Sequence, residues 1–182
     1  HGVGVTVPKS FTTEQALELG NFDYKVSKSP LHIKDGWREV RVPNHVAVVR
    51  EDTKQILGIT SDKYEPFQNI EAIQWADNLL QDGIAHWESM MVLDGGKKFA
   101  GLMKLEEDMR IGDEDYWQYF LISTGHDGKY AIHLLPTNVR VVCYNTLTAA
   151  TQGTSWTTIK SPFQNSHNTT MRTKPNIATE LT

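Results

Sequence analysis

The apolar positions of this chain follow two different spacings, and together they predict an α+β fold. A spacing of three and four residues over 69–80 predicts a helix, for which Asn69 is a suitable N-cap. A shorter helix is predicted over 12–20, where Thr12 and Gln15 stand three residues apart as in a capping box. Because each helix has an apolar side, both are expected to pack on a sheet.

Strand-like segments fill most of the remaining chain, with β-branched and aromatic residues in partial alternation. The turn Asp94-Gly95-Gly96 joins two of them into a hairpin, and residues 124–128 join two more, since glycine accepts the positive φ that tight turns need. Pro43-Asn44 is expected to separate two further strands. The predicted strands cover residues 24–26, 37–42, 45–50, 56–59, 86–93, 97–105, 116–123, 129–135 and 139–143. We therefore expect a mainly antiparallel sheet built from β-hairpins, with two or three packed helices.

Residues 1–160 are predicted to form this single α+β domain. A third helix is expected to start near Asn145 or Thr146, either of which is a suitable cap. Residues 156–159 have strand character, whereas residues 161–182 are rich in Ser, Thr, Asn and Pro and are expected to form a polar loop or linker. We expect the natural chain to extend beyond both ends of this sequence.

Composition narrows the class of protein. Hydrophobic residues make up 39% of the 182 residues and charged residues 22%, which is typical of a globular chain rather than a disordered one. A single cysteine excludes an internal disulfide and favours a reducing compartment. No apolar run is long enough for a membrane span or a signal core, so we expect a cytoplasmic protein without membrane contact.

Several residues could carry chemistry, but each has a simpler interpretation. The seven histidines show no HxH, HExxH or CxxC spacing, and His126 and Asp127 stand in a glycine-flanked turn that favours Asp for its geometry alone. Carboxylates in 106–108 and 113–115 could recruit a divalent cation, although such clusters are more often solvated. Cys143 follows a Val-rich run and is expected to be a buried small hydrophobe rather than a nucleophile. We expect no cofactor, no metal site and no catalytic residue.

Basic residues recur beside aromatic ones in the predicted strands, a combination typical of nucleic-acid binding. Lys and Arg neutralise phosphates, and flat aromatic rings stack on unpaired bases. The net charge is −4, so the 18 Lys and Arg would have to gather on one face. The candidates are Arg50, Lys97, Lys98 and Arg140 as cations, with Trp37 and Tyr144 as stacking or supporting rings.

Four segments match the pattern of a known family. They are PTNVRVVCYNTL at 136–147, GHDG at 125–128, HGVG at 1–4, and Leu57-Gly58 followed by Tyr64, Gln68 and Asn69. On these residues, over positions 1 to about 160, the chain resembles the phage/plasmid-like family, a domain of unknown function found in phages, prophages and plasmids. The resemblance implies a mobile-element origin and a bacterial host cell. It gives no role to the motif residues His126, Asp127, Asn138 and Asn145.

The resemblance also guides the functional expectation. The order of helix, β-meander and helix is similar to the core of phage single-strand annealing proteins, an analogy of fold. It implies a homo-oligomer that binds single-stranded DNA in recombination or replication, more a binding protein than an enzyme. One alternative is an interaction or counter-defence protein that binds a host protein or a small nucleotide through a surface pocket. A second is a metal-dependent enzyme in which His126, Asp127 and acidic loop residues converge.

Overall fold

In the part of the chain that the structure describes, two antiparallel sheets and three helices confirm the predicted α+β class. The computed structural model describes residues 4–111 and 115–152. The strands are β1 (Val5–Thr6), β2 (Val26–Asp35), β3 (Arg38–Arg50), β4 (Ile56–Ser61), β5 (Ala85–Leu93), β6 (Lys98–Ile111), β7 (Asp115–Gly125) and β8 (His133–Thr137). The helices are α1 (Thr13–Leu19), α2 (Asn69–Gln81) and α3 (Tyr144–Gln152). No helix within these ranges is long and apolar enough to cross a membrane.

The larger sheet has the strand order β1-β5-β6-β7-β8 and is covered on both faces. Helices α1 and α2 pack against β5 and β7 on one face, where the main cluster includes Trp87, Phe99 and Phe120. Helix α3 covers the other face, where Leu147 and Ala150 join a second buried cluster. Burial on both faces makes this sheet the centre of the apolar core.

Local chemistry explains where the first two helices begin. Thr12 accepts the N–H of Gln15, and the Gln15 side chain accepts the N–H of Thr12, so the predicted capping box is confirmed. Helix α2 was predicted with Asn69 as its cap, and this is wrong. The Glu71 carboxylate accepts the N–H of Gln68 at 2.8 Å, so Gln68 occupies the cap position and the Asn69 side chain is free for a distant contact.

The hairpins predicted around glycine turns are present. Strands β5 and β6 are joined by a 3₁₀ turn over Asp94–Gly96, in which Gly95 and Gly96 have φ of 68° and 108°. Strands β7 and β8 form the second hairpin, although residues 129–131 lie in its connection and not in a strand. The left-handed backbone in the first turn explains why glycine occupies it.

The smaller sheet, β2-β3-β4, differs from its prediction in two places. Residues 27–35 were not predicted as strand, yet they complete β2 and pair with β3. Pro43-Asn44 was expected to end a strand, but β3 runs through it as an irregularity in which Asn44 has a φ of 58°. Beyond this irregularity, residues 31–42 form an exposed two-stranded extension, which we call the arm.

Residues 139–143 were predicted to extend the sheet, but residues 139–142 are not in a strand and Cys143 makes only a single bridge. The segment is irregular because its backbone bonds elsewhere: the Val141 carbonyl accepts the Ser89 hydroxyl at 3.1 Å, and the Val142 carbonyl accepts the N–H of Gly4 at 2.9 Å. Helix α3 begins directly afterwards, with the Thr146 hydroxyl accepting the N–H of Cys143 at 3.0 Å. Cys143 is therefore the cap, in place of the predicted Asn145 or Thr146. The predicted segments 156–159 and 161–182 lie outside the described residues.

Candidate nucleic-acid interface

Two residues predicted to bind nucleic acid meet at the start of β6. The ammonium group of Lys98 lies 3.1 Å from the hydroxyl of Tyr144 and 4.7 Å from the centre of its ring. Tyr144 is the first residue of α3, and 41% of it is exposed. Lys97 precedes Lys98 at the same strand end and is half-buried. We call Lys97, Lys98, Tyr130 and Tyr144 the basic-aromatic patch.

Tyr130 belongs to this patch although the sequence did not indicate it. The Lys98 ammonium lies 4.9 Å from the centre of the Tyr130 ring, so it is close to the faces of two tyrosines. The Asp127 carboxylate accepts the N–H groups of Lys129 and Tyr130 at 2.8 and 3.0 Å, which folds the turn that brings Tyr130 there. Asp127 therefore shapes the turn and helps to place an aromatic ring.

Partial burial and hydrogen bonding shift the pKa values of two residues in the patch. Burial raises the pKa of Tyr130, whose hydroxyl lies 3.1 Å from that of Ser123. Burial alone would lower the pKa of Lys98, but the hydrogen bond to Tyr144 and the electrostatic effects of Tyr144, Tyr130 and Asp94 together outweigh it, so the pKa is raised. Lys98 thus stays charged at neutral pH, as a phosphate-binding residue must.

Arg50, a third predicted cation, lies near the patch but is already paired. Its guanidinium donates two hydrogen bonds to Asp52, at 2.7 and 2.8 Å, and stacks 3.9 Å from the centre of the Tyr24 ring. The same pairing lowers the pKa of Asp52 to about 2. Because Asp52 neutralises it, Arg50 supports the β5–β6 turn through its contact with Gly96 rather than offering a free charge.

Arg140 and Trp37 are not brought to the patch. Arg140 donates to Glu88 in the middle of β5, at 2.9 and 2.6 Å. Trp37 follows the Gly36 turn at the tip of the arm, where it is 104% exposed, at the opposite end of β3 from Arg50. The six predicted nucleic-acid residues therefore do not form one surface.

The motif residues of unknown role divide into buried and exposed ones. His126 is completely buried, with its Nε2 atom 2.9 Å from the Asn69 side-chain oxygen. Because the Asn69 amide nitrogen donates to the Phe22 carbonyl, its oxygen faces Nε2, which therefore carries the proton. Asn138 and Asn145 lie exposed, after β8 and in the first turn of α3.

His126, directly after β7, and Asn69, at the start of α2, form a buried polar contact. We call these two residues, together with Tyr24, Tyr64 and Gln68, the junction. The Tyr24 hydroxyl donates to the Gly96 carbonyl at 2.8 Å, and the Tyr64 hydroxyl donates to the Gly125 carbonyl at 3.3 Å. Burial raises the pKa of Tyr24 to about 12. These contacts tie the small sheet to the turns of the large one, which is a structural role.

Those residues proposed for a metal enzyme whose side chains the structure describes do not converge. His126 points to Asn69, whereas Asp127 holds its own turn. Glu106, from the first acidic segment, is paired with Lys9 at 2.7 Å and with His86 at 2.8 Å, and the Lys9 contact lowers its pKa. In the described ranges, no group of three or more His, Cys, Asp and Glu side chains is placed to hold a metal ion.

Cys143 differs from its expected character. It is half-buried rather than buried, and the hydrogen bond with Thr146 lowers the pKa of its thiol. Cys143 lies directly before α3 and not inside a strand, so it caps a helix and is not a core residue of the sheet.

A surface cleft of about 350 Å³ lies beside the N-terminus of α1. Its lining combines a lysine, a histidine, a glutamate and an aromatic side chain with hydroxyl groups; the residues include Lys9, Phe11, Thr12, Thr13, Glu14 and His86. Its volume is in the range of small-molecule sites.

Comparison with models of known protein families places the chain in a family described by a domain of unknown function. The family model described as Domain of unknown function (DUF932) matches residues 56–179. The chain belongs to the DUF932 family. The matched range begins at β4 and includes the junction residues Tyr64, Gln68, Asn69 and His126 as well as the whole basic-aromatic patch. No curated protein and no solved structure matches the chain.

Proposed function

We propose that this chain is a phage- or plasmid-encoded protein that binds single-stranded DNA and acts, without covalent chemistry, in annealing during recombination or replication. The observation that carries the proposal is the Lys98 ammonium placed against two tyrosines, one of them 41% exposed, beside a second lysine. An exposed ring offers a stacking surface for an unpaired base, worth about 1–3 kcal/mol per base. Lys97, Lys98 and the exposed Lys129 would contact phosphates on either side of that base.

The test is fluorescence-polarisation binding to labelled single- and double-stranded DNA over a series of salt concentrations. We expect preference for the single strand, with affinity that falls steeply as salt rises. Tyr144→Ala should weaken binding roughly tenfold, because it removes the exposed stacking ring. Lys98→Ala should also reduce the slope of log affinity against log salt by about 0.7, the contribution of one phosphate contact on a single strand.

Lys104→Ala is the matched control. Lys104 is exposed and stands six residues further along β6, about 20 Å away at 3.3 Å per residue, so it removes the same charge from the same strand. It should leave affinity unchanged. The proposal is contradicted if the affinity for single-stranded DNA does not change with salt concentration, or if it is unchanged in a variant that carries both the Lys98 and the Tyr144 substitution.

The cleft supports the alternative of a small-nucleotide binder. Phe11 could stack on a base, whereas Lys9 and His86 are both paired with Glu106 and would have to leave that carboxylate to meet a phosphate. A titration with mononucleotides separates the two functions, because His86→Ala should weaken mononucleotide binding at the cleft and leave single-stranded DNA binding intact.

A further inference from the structure

Within the described chain, the arm is a narrow ribbon of two strands. Residues 32–35 of β2 pair with residues 38–41 of β3 in consecutive register. Strand β4 pairs with β3 only from His45 onward, so it does not extend along the arm. Every residue from His32 to Arg41 is exposed. The arm therefore lies outside the apolar core, and its side chains are accessible to a partner.

The tip of the arm presents a tryptophan to solvent. Asp35 pairs with Arg38, so Gly36 and Trp37 form a two-residue turn, in which Gly36 has a φ of 60°. Trp37 is 104% exposed. Tryptophan combines a large apolar ring with a hydrogen-bonding N–H group, and it is enriched where proteins bind partners. The tip is therefore expected to contact a ligand.

Basic side chains stand on both faces of the arm. Lys34 pairs with Glu39, and Arg41 follows Glu39 by two positions, so these three residues share one face. Arg38, which pairs with Asp35 beside the tip, lies on the opposite face. One cation is therefore placed at the tip and two are placed further back along the ribbon.

These three cations form no ion pair in the part of the chain that the structure describes. Arg50 and Arg140, by contrast, are each paired with a carboxylate. Residues 31–42 contain three Lys and Arg and two Asp and Glu, so the arm has a formal charge of +1 in a chain whose total charge is −4. The arm thus has the sign of charge that attracts a polyanion, on side chains that are not already paired.

We propose that the arm binds duplex DNA by entering its major groove. That groove is about 12 Å wide and about 8.5 Å deep, and it admits a two-stranded β-ribbon. At 3.3 Å per residue, Trp37 lies about 13 Å from Arg41, so the tip can reach the base edges while Arg41 and Lys34 stay beside the phosphates. Arg38, next to the tip, would then contact a base edge, most often that of guanine. This site is separate from the basic-aromatic patch and does not depend on single-strand binding there.

The order of side chains along the arm favours DNA over a membrane surface. Ile33 pairs with Val40, and the two are 55% and 42% exposed. Asp35 and Arg38 lie between this apolar pair and Trp37, so a membrane could take up the pair only by burying both charged groups, which is costly. In a DNA groove, which is hydrated and lined with hydrogen-bonding groups, the same two side chains remain solvated or bonded.

Fluorescence-polarisation binding to a labelled DNA duplex over a series of salt concentrations tests the proposal. Lys34→Ala with Arg41→Ala should lower the slope of log affinity against log salt by about 1.8, the contribution of two phosphate contacts on B-DNA. Arg38→Ala should weaken duplex binding roughly tenfold, the effect of one lost base contact. Lys25→Ala with Lys104→Ala is the control, because both lysines are exposed and lie outside the arm. It removes the same charge and should leave the slope unchanged.

The fluorescence of Trp37 gives a second measurement. A DNA duplex should protect the native protein from acrylamide quenching, and Trp37→Phe, which keeps the other tryptophans, should lose this protection. An RNA duplex should give no protection, because its major groove is too narrow for side chains to enter. Glu39→Gln should raise the affinity for duplex DNA, since it removes a carboxylate from the face that meets the phosphates. An arm with a merely structural role would not respond in this way.

Three results would overturn the proposal. They are a full salt slope of duplex binding in the Lys34 and Arg41 double variant, acrylamide quenching that is the same with and without duplex DNA, and protection of Trp37 by phosphatidylserine vesicles in place of DNA. Failure of the single-strand proposal is distinguishable from these, because single-strand binding would then be unaffected by Tyr144→Ala while the arm variants still lose duplex binding.

Discussion

The two sheets of this molecule differ in how completely their faces are covered. The five-stranded sheet carries helices on both faces, and its buried side chains include Trp87, Phe99 and Phe120. The three-stranded sheet buries one face in a cluster of five residues and leaves isoleucines on the other more than half exposed. The difference suggests that the large sheet supplies the stability of the fold and the small one a surface for contacts.

The attachment between the sheets combines apolar packing, in which Val92 of β5 contacts the cluster of the small sheet, with a set of polar contacts. The junction uses hydroxyl, amide and imidazole groups to reach backbone carbonyls of the large sheet's turns. Such bonds need defined distances and angles, so they fix the orientation of the small sheet more tightly than apolar packing of the same size would.

Matched leucine truncations should give the largest contrast between the sheets. Leu121→Ala in the large sheet, where the leucine is fully buried, should lower the free energy of unfolding by about 4–5 kcal/mol. Leu57→Ala in the small sheet should cost about 2 kcal/mol, because its smaller cluster can relax around the cavity. Urea unfolding at neutral pH measures both. Equal losses would contradict the idea that stability resides in the large sheet.

Alkaline pH should destabilise the protein by ionising the Tyr24 hydroxyl in the junction. The folded-state pKa of Tyr24 is about 12, above its ordinary value of 10, because burial disfavours the charged phenolate. The neutral hydroxyl therefore contributes stability that is complete below pH 10 and is lost as the pH rises from 10 to 12, by roughly 2–3 kcal/mol. Denaturant unfolding at pH 8, 10, 11 and 12 measures the loss.

Tyr24→Phe is the control for that titration. It should lower stability at pH 8 by about 1 kcal/mol, through the lost bond to the Gly96 carbonyl, and should make the alkaline decline shallower. An unchanged decline in the variant would show that Tyr24 is not the group responsible.

Crowding the backbone beside the junction should have the most local effect. A Cβ atom on Gly58 would lie 2.7 Å from the Asp127 backbone, closer than real contacts allow. Gly58→Ala should therefore destabilise by about 1–3 kcal/mol, the usual range for overpacking. Hydrogen exchange should speed up in β2 to β4 and stay unchanged in β6 and β7. The exposed Ser61→Ala is the control, and faster exchange throughout would mean that the sheets unfold as one unit.

The sequence predicted those elements whose signals are local. The α1 capping box and the Asp94–Gly96 turn depend on residues within a few positions of one another, and both are present. Residues 27–35 were missed because the arm is exposed on both sides, so its sequence lacks the apolar alternation of a half-buried strand. Residues 139–143 were misassigned because a Val-rich run indicates burial, and Val141 is indeed buried, without fixing backbone pairing.

The site was harder to predict because its parts are distant in sequence. Lys98 and Tyr144 were both named, but nothing local indicates that residues 46 positions apart would touch. Tyr130 gave one usable signal, its position three residues after the turn-forming Asp127. Arg50 and Arg140 were named for their charge, and only the structure shows the carboxylates that neutralise them.

The Gln68 amide also affects how the small sheet could add a further strand, because it bonds both the N–H and the carbonyl of Val26 at the start of β2. A sheet with two open edges could recruit copies on both sides and grow without limit into a fibre. Val26 is the first of the ten residues of β2, so this side chain, 42 positions away in sequence, pairs one end of that edge from within the molecule. A strand from another molecule could therefore add to β2 only beyond Val26.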